Sequence, residues 1–127
     1  MPAKIDYQSL ADFRYEIRRF LNFSENAARQ AGIEPQQHQA LLVIRAGRPG
    51  SETTVGVLAE RLRIRHHTAV ELTDRLESKG WIRRSRNPGD RRRVNLRLAR
   101  PGAQLLKMPW SRSDRVLLSR GSAMNTM

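Results

Sequence analysis

The chain contains no cysteine. Disulfides, zinc–thiolate sites and thiol-based redox sensing are thereby excluded, and a reducing cytoplasm is compatible with the composition. No stretch approaches the ~18 consecutive apolar residues of a membrane-spanning helix, and the opening MPAKIDYQSL lacks the apolar centre of a signal peptide. Neither secretion nor membrane insertion is indicated, and the sequon NFS at 22–24 is a chance match. Acids are scarce: 12 against 24 Lys and Arg. There is no phosphate-binding glycine loop, metal-ligand spacing or nucleophile–base pattern, so neither an enzyme nor a cofactor is expected. His66 and His67 are adjacent, but neighbours on a helix diverge by about 100° and cannot chelate as an i, i+4 pair would, so no metal is expected.

What the chain does have is positive charge. At 127 residues it has room for one domain with a modest core, and it carries a formal charge of +12, nearly all of it on arginine. Arginine is the side chain suited to bidentate phosphate and base-edge contacts, so polyanions are the natural partners. The distribution sharpens this. From Arg83 to Arg100 eight arginines accompany a single acid, Asp90, which makes a patch rather than a background.

Periodicity supplies the elements. Leu10, Phe13, Ile17, Leu21, Ala28 and Ala31 recur at helical steps over residues 6–31, predicting a long amphipathic helix ended by Gly32. Pro35 opens a second helix, short and buried, with Leu41, Leu42 and Ile44 as its apolar residues. Val55, Leu58, Ala59 and Leu62 predict a third of about three turns. A tight turn leads to a fourth, whose inner stripe is Ala69, Leu72 and Leu76 and whose end is marked by Lys79 and Gly80. Two helices so closely joined make a helix-turn-helix signal. Beyond Gly80 the period changes to two around NPGD, predicting a β-hairpin with an arginine-rich tip. Pro101 and Gly102 open a last helical segment that Pro109 should interrupt, and residues 111–127 read as polar and weakly structured apart from an apolar cluster at 116–118.

In this order the chain resembles the MarR family of bacterial winged helix-turn-helix regulators. The residues that carry the resemblance are PQQHQALLVI, TVGVLAERL, AVELTDRLESKGWIRR and DRRRVNLRLARPG, over roughly residues 32–106. The fold class expected is mainly α with a small β-hairpin wing (α+β), a winged helix-turn-helix. The organisation expected is an N-terminal dimerisation helix at 1–34, the DNA-binding domain at 35–100 and a shortened C-terminal helical segment and tail at 101–127. The resemblance implies a homodimer whose recognition helices enter successive major grooves while the wings reach the flanking minor grooves. Such regulators commonly repress nearby genes until a small ligand binds. Where the family usually has a capping Thr after the wing, this chain has Ala99, which removes a cap of about 1 kcal/mol.

Positions off the inner stripe of the fourth helix are free to face DNA: His66, His67, Thr68, Val70, Glu71 and Arg75. On the wing, Arg91, Arg92 and Arg93 suit a narrow minor groove, with Arg92 the candidate for insertion and Asp90 placed to orient it through a carboxylate–guanidinium pair. Arg83, Arg84 and Arg86 are assigned to phosphates, which position without specifying. Phe13, Ile17 and Phe20, with Trp81 and Trp110, are candidates for a pocket taking a small aromatic or phenolic ligand, although an aromatic stripe at helical spacing is more often core. His38 reads as a packed or surface histidine. The function expected is a cytoplasmic, nucleoid-associated, ligand-responsive repressor that binds double-stranded DNA at a palindromic operator. A basic winged-helix module that binds nucleic acid non-specifically, with no ligand response, is the alternative.

Overall fold

The computed structural model describes residues 4–48, 52–87 and 89–107, with the backbone alone for Asn87 and Arg91. Pro109, Trp110 and the cluster at 116–118 lie outside the described residues. The first helix, α1 (Tyr7–Gln30), begins where Asp6 caps it. The Asp6 carboxylate accepts from the Ser9 hydroxyl at 2.7 Å and from the Ser9 N–H at 3.1 Å. Both bonds favour the charged form and hold this carboxyl below the usual carboxylate range. The helix ends at Gly32, whose φ of 78° lets the Gly32 and Ile33 N–H groups bond back to the Arg29 and Ala28 carbonyls.

Pro35 opens α2 (Pro35–Arg45), and the Gln37 side chain accepts from the Glu34 N–H at 3.2 Å. Its buried face carries Gln37, His38, Ala40, Leu41 and Ile44, whereas Leu42 is 45% exposed. The run of four aliphatics at 41–44 hides which of them faces outward, because a 100° step separates each from the next.

The Thr54 hydroxyl caps α3 (Val55–Leu62), accepting from the Val57 N–H at 3.2 Å. This helix is eight residues long, a little over two turns rather than three. It stops because Arg63 adopts a left-handed φ of 57°, with the Ile64 N–H bonded to the Ala59 carbonyl at 3.0 Å. A non-glycine residue in that region costs about 1 kcal/mol or more. The turn leads directly into α4 (His66–Ser78), which buries Ala69, Leu72, Thr73 and Leu76. Thr73 was not legible as core, but its hydroxyl donates to the Ala69 carbonyl at 2.7 Å and so enters the interior satisfied.

The hairpin is β2 (Ile82–Asn87) and β3 (Asp90–Leu98), and a third strand, β1 (Thr53–Thr54), pairs antiparallel with β3 to give the order β1-β3-β2. Two residues show no alternation, so β1 carries no sequence signal. A short helix, α5 (Arg100–Leu105), follows, and its N-cap Ala99 makes no side-chain cap bond. The core is Leu41, Leu58, Leu76, Ile82 and Leu96, where α2, α3 and α4 meet one face of the sheet.

His38 lies in that core, 2% exposed, with no hydrogen-bond partner for Nε2. Burial penalises the imidazolium and pushes its pKa below the ordinary 6.5. Above that value both folded and unfolded chains hold this histidine neutral. As pH falls from 6.5 through the lowered folded value, the unfolded chain binds more protons and stability is lost. Thermal unfolding between about pH 7.5 and about pH 5 is expected to show a smaller loss for His38→Leu than for the parent chain. Parallel curves would show that His38 contributes nothing to acid sensitivity.

Candidate nucleic-acid interface

The first turn of α4 presents His66 and His67 exposed, with Glu71 and Arg75 exposed on later turns. Thr68 and Val70 are half-buried. This face is polar, mixed in charge and backed by the buried side of the same helix.

The wing is less regular than its sequence pattern. From Ile82↔Leu98 to Arg86↔Val94 the strands pair residue for residue, and the next pair is Asn87↔Asp90. Arg91, Arg92 and Arg93 therefore have no opposite number on β2 and form a three-residue bulge at the tip. A bulge frees side chains from the pleat and re-aims them. Arg92 and Arg93 are exposed, and the Arg91 side chain lies outside the described residues. Asp90 has a different role from the one expected. Its carboxylate accepts from the Arg92 backbone N–H at 3.0 Å, and no Asp90–Arg92 side-chain pair occurs among the described residues. Asp90 thus shapes the bulge through the backbone and leaves the Arg92 guanidinium free.

Arg84 also departs from expectation. It faces α4, where its guanidinium pairs with Asp74, and its Nε lies 3.7 Å from Glu77 Oε2. At that separation the second contact is an ion pair without a hydrogen bond, and Nε has no hydrogen-bond partner. The side chain is 30% exposed, and it ties the wing to α4 instead of standing free at the surface. Asp74 and Glu77, an i, i+3 acidic pair on the helix preceding an arginine-rich strand, were the available signal for it.

Arg83 and Arg86 are exposed, as a phosphate contact requires. Arg83 sits directly opposite Arg97 in the sheet, a like-charge pair that is unfavourable in isolation. Glu52 relieves part of it at 3.6 Å from Arg97. The remaining repulsion is what a polyanion would neutralise. On α1, Phe13, Ile17 and Phe20 are half-buried, while the cleft between α1 and α5 is lined by Phe23, Asn26, Ala27, Gln30 and residues of α5. The three candidate ligand residues lie on earlier turns of α1 and outside that cleft. Among the described residues no cluster of His, Asp and Glu could hold a metal ion, and no helix is long and apolar enough to cross a membrane.

Comparison with known proteins agrees with this architecture. The family model described as MarR family matches residues 31–93. A relative from Thauera aromatica, provisionally named as the transcriptional regulatory protein for its hcr operon, is 33% identical over 93 residues, covering 73% of this chain and 54% of the relative. The chain thus spans about half the length of the curated relative it matches. MepR of S. aureus, solved in complex with DNA, is 22% identical with a TM-score of 0.64, covering 97% of this chain and 93% of that one. Wild-type MarR of E. coli in its apo form is 24% identical with a TM-score of 0.63, covering 83% of this chain and 74% of that one. The regulator Tm0710 of Thermotoga maritima is 23% identical with a TM-score of 0.64, covering 94% and 79%. The structural likeness establishes a winged helix-turn-helix fold, and with the sequence matches it shows that this chain belongs to the MarR family.

Proposed function

We propose that this chain is a sequence-specific, double-stranded-DNA-binding transcriptional repressor that acts in the bacterial cytoplasm as a homodimer. The observation that carries the reading is the three-residue arginine bulge at 91–93 on a wing whose Arg84 pairs with Asp74 of α4, the helix whose first turn is exposed. In the proposed complex, His66, His67, Thr68, Val70, Glu71 and Arg75 meet the major groove and Arg92 enters the minor groove, while Arg83 and Arg86 touch phosphates. Ile5, Tyr7, Leu10, Tyr15 and Leu21 leave large apolar surface exposed on and before α1, which supports α1 as the dimerisation element. A two-fold dimer would read a palindrome with half-sites ~34–36 Å apart. A small aromatic or phenolic ligand bound beside Phe13, Ile17 and Phe20 would lower DNA affinity by linkage.

The test is fluorescence anisotropy with duplex DNA from upstream of the chain's own gene and with a scrambled duplex, each across a salt series. Specific affinity of ~10 nM or tighter, with a margin over scrambled DNA that persists as salt rises, is the expected result. Equal affinities that fall together with salt would mean phosphate binding alone and favour the non-specific module. Light scattering at micromolar concentration is expected to report a dimer.

A further inference from the structure

A second cluster of arginines lies on the flank of the domain, where α2, β1, α3 and β3 enclose a cleft of about 570 Å³. That is within the size range of small-molecule sites. Arg48 reaches it from beyond α2, Arg61 from α3 and Arg93 from β3. None of the three is paired with a carboxylate among the described residues. Glu52 also lines the cleft, but its charge is engaged by Arg97 at 3.6 Å. The remaining wall is mostly apolar, with Leu42, Val43, Ala46 and Val57 beside Thr53. Leu42 is the apolar residue of α2 that the core leaves out, at 45% exposure.

Three cations from three separate segments line one concave and partly apolar surface, and their charge and its shape specify a ligand. A planar monocarboxylate has two oxygens and one charge, enough for one bidentate guanidinium. A phosphate monoester offers a tetrahedral array of three oxygens and nearly two charges near neutral pH, enough for three. The apolar wall requires that the ester carry a compact apolar substituent. We infer that this cleft binds a phosphate monoester with a small aryl or alkyl group, head towards the three arginines and body against Leu42, Val43 and Val57. Because Arg93 also belongs to the wing-tip bulge, a bound ester would draw that arginine away from DNA. This coupling rests on the DNA-binding reading, but the site itself does not.

Isothermal titration calorimetry of the full chain with phenyl phosphate, inorganic phosphate and benzoate tests the site with no DNA present. Phenyl phosphate is expected to bind saturably, one per chain, and about tenfold or more tightly than either of the other two, since each offers only half of the complementarity. Arg48→Gln and Arg61→Gln, both at exposed positions, are each expected to weaken phenyl phosphate about tenfold with unchanged thermal unfolding. Arg18→Ala, on the exposed side of α1, is expected to leave the affinity unaltered. The inference is overturned by an absence of saturable binding, by equal affinity for the three probes, or by affinity that survives both cleft substitutions. Because the titration contains no DNA, its failure and a failure of the proposed operator binding are separate results.

Discussion

Gly102→Ala is expected to lower the melting temperature by about 5–15 °C, against the direction that helix propensity predicts. Gly102 is in α5, where alanine would ordinarily be the better residue by roughly 1 kcal/mol. A Cβ there, however, would come far inside van der Waals contact with the Trp81 carbonyl oxygen and only 3.0 Å from the Trp81 carbonyl carbon. The obstacle is backbone, so no side-chain rotation relieves it. That same carbonyl accepts the Ala99 N–H at 2.9 Å, so moving it breaks the bond that closes the base of the wing. Overpacking of this kind costs about 1–3 kcal/mol or more. Gly56→Ala supplies the control with the opposite sign. At Gly56, an exposed position of α3, a Cβ would meet only Thr54 Oγ1 at 3.8 Å, and the substitution is expected to stabilise by about 0.5–1 kcal/mol. If both variants melt alike, the close approach of α5 to Trp81 does not constrain the fold.

Arg92→Ala is expected to reduce affinity for the specific duplex by about 10- to 100-fold and to narrow the margin over scrambled DNA. The bulge gives Arg92 no cross-strand neighbour, and Asp90 engages its backbone N–H rather than its guanidinium. Its charge is therefore available to a groove in which negative potential is concentrated. Arg84→Ala is expected to weaken specific and scrambled duplexes about equally, for a different reason. Removing the tie leaves Asp74 and Glu77 uncompensated on α4 beside the surface proposed to face DNA, at side-chain exposures of 60% and 45%. The ion pairs themselves are largely exposed, so the stability change should stay within ~1 kcal/mol. The discriminating measurement is a triple variant. Adding Asp74→Asn and Glu77→Gln to Arg84→Ala should recover most of the lost affinity if Arg84 acts by neutralising those two acids. It should recover none if Arg84 itself contacts phosphate.

Much of this was legible without coordinates. α1, α2, α4 and the hairpin follow from apolar spacing with Gly32, Pro35 and Gly80 as punctuation, because each of these residues has one dominant local conformational use. The charged cluster at 83–100 was legible too, since arginine is costly to bury and stays near the surface. The pairing of those charges was not. Nothing in the local pattern of the hairpin distinguishes Arg84, turned towards α4, from Arg83, turned outward. The alternation says that they face opposite sides, but only the packing of β2 on α4 says which side holds Asp74 and Glu77.

The sequence by itself determined the class of the molecule: a helix-turn-helix, a wing and a positive surface, all set by interactions within a few turns or one hairpin. Tertiary structure decided the rest. It added β1, which exists only because β3 offers it an edge, and shortened α3 through the left-handed Arg63. It made Arg84 a strut, Asp90 a shaper of backbone and Gly102 a steric necessity. The physical reason is the same in each case. Periodicity reports which residues avoid water, whereas a register shift, a backbone approach or an ion pair between elements depends on where two distant segments of chain come to rest.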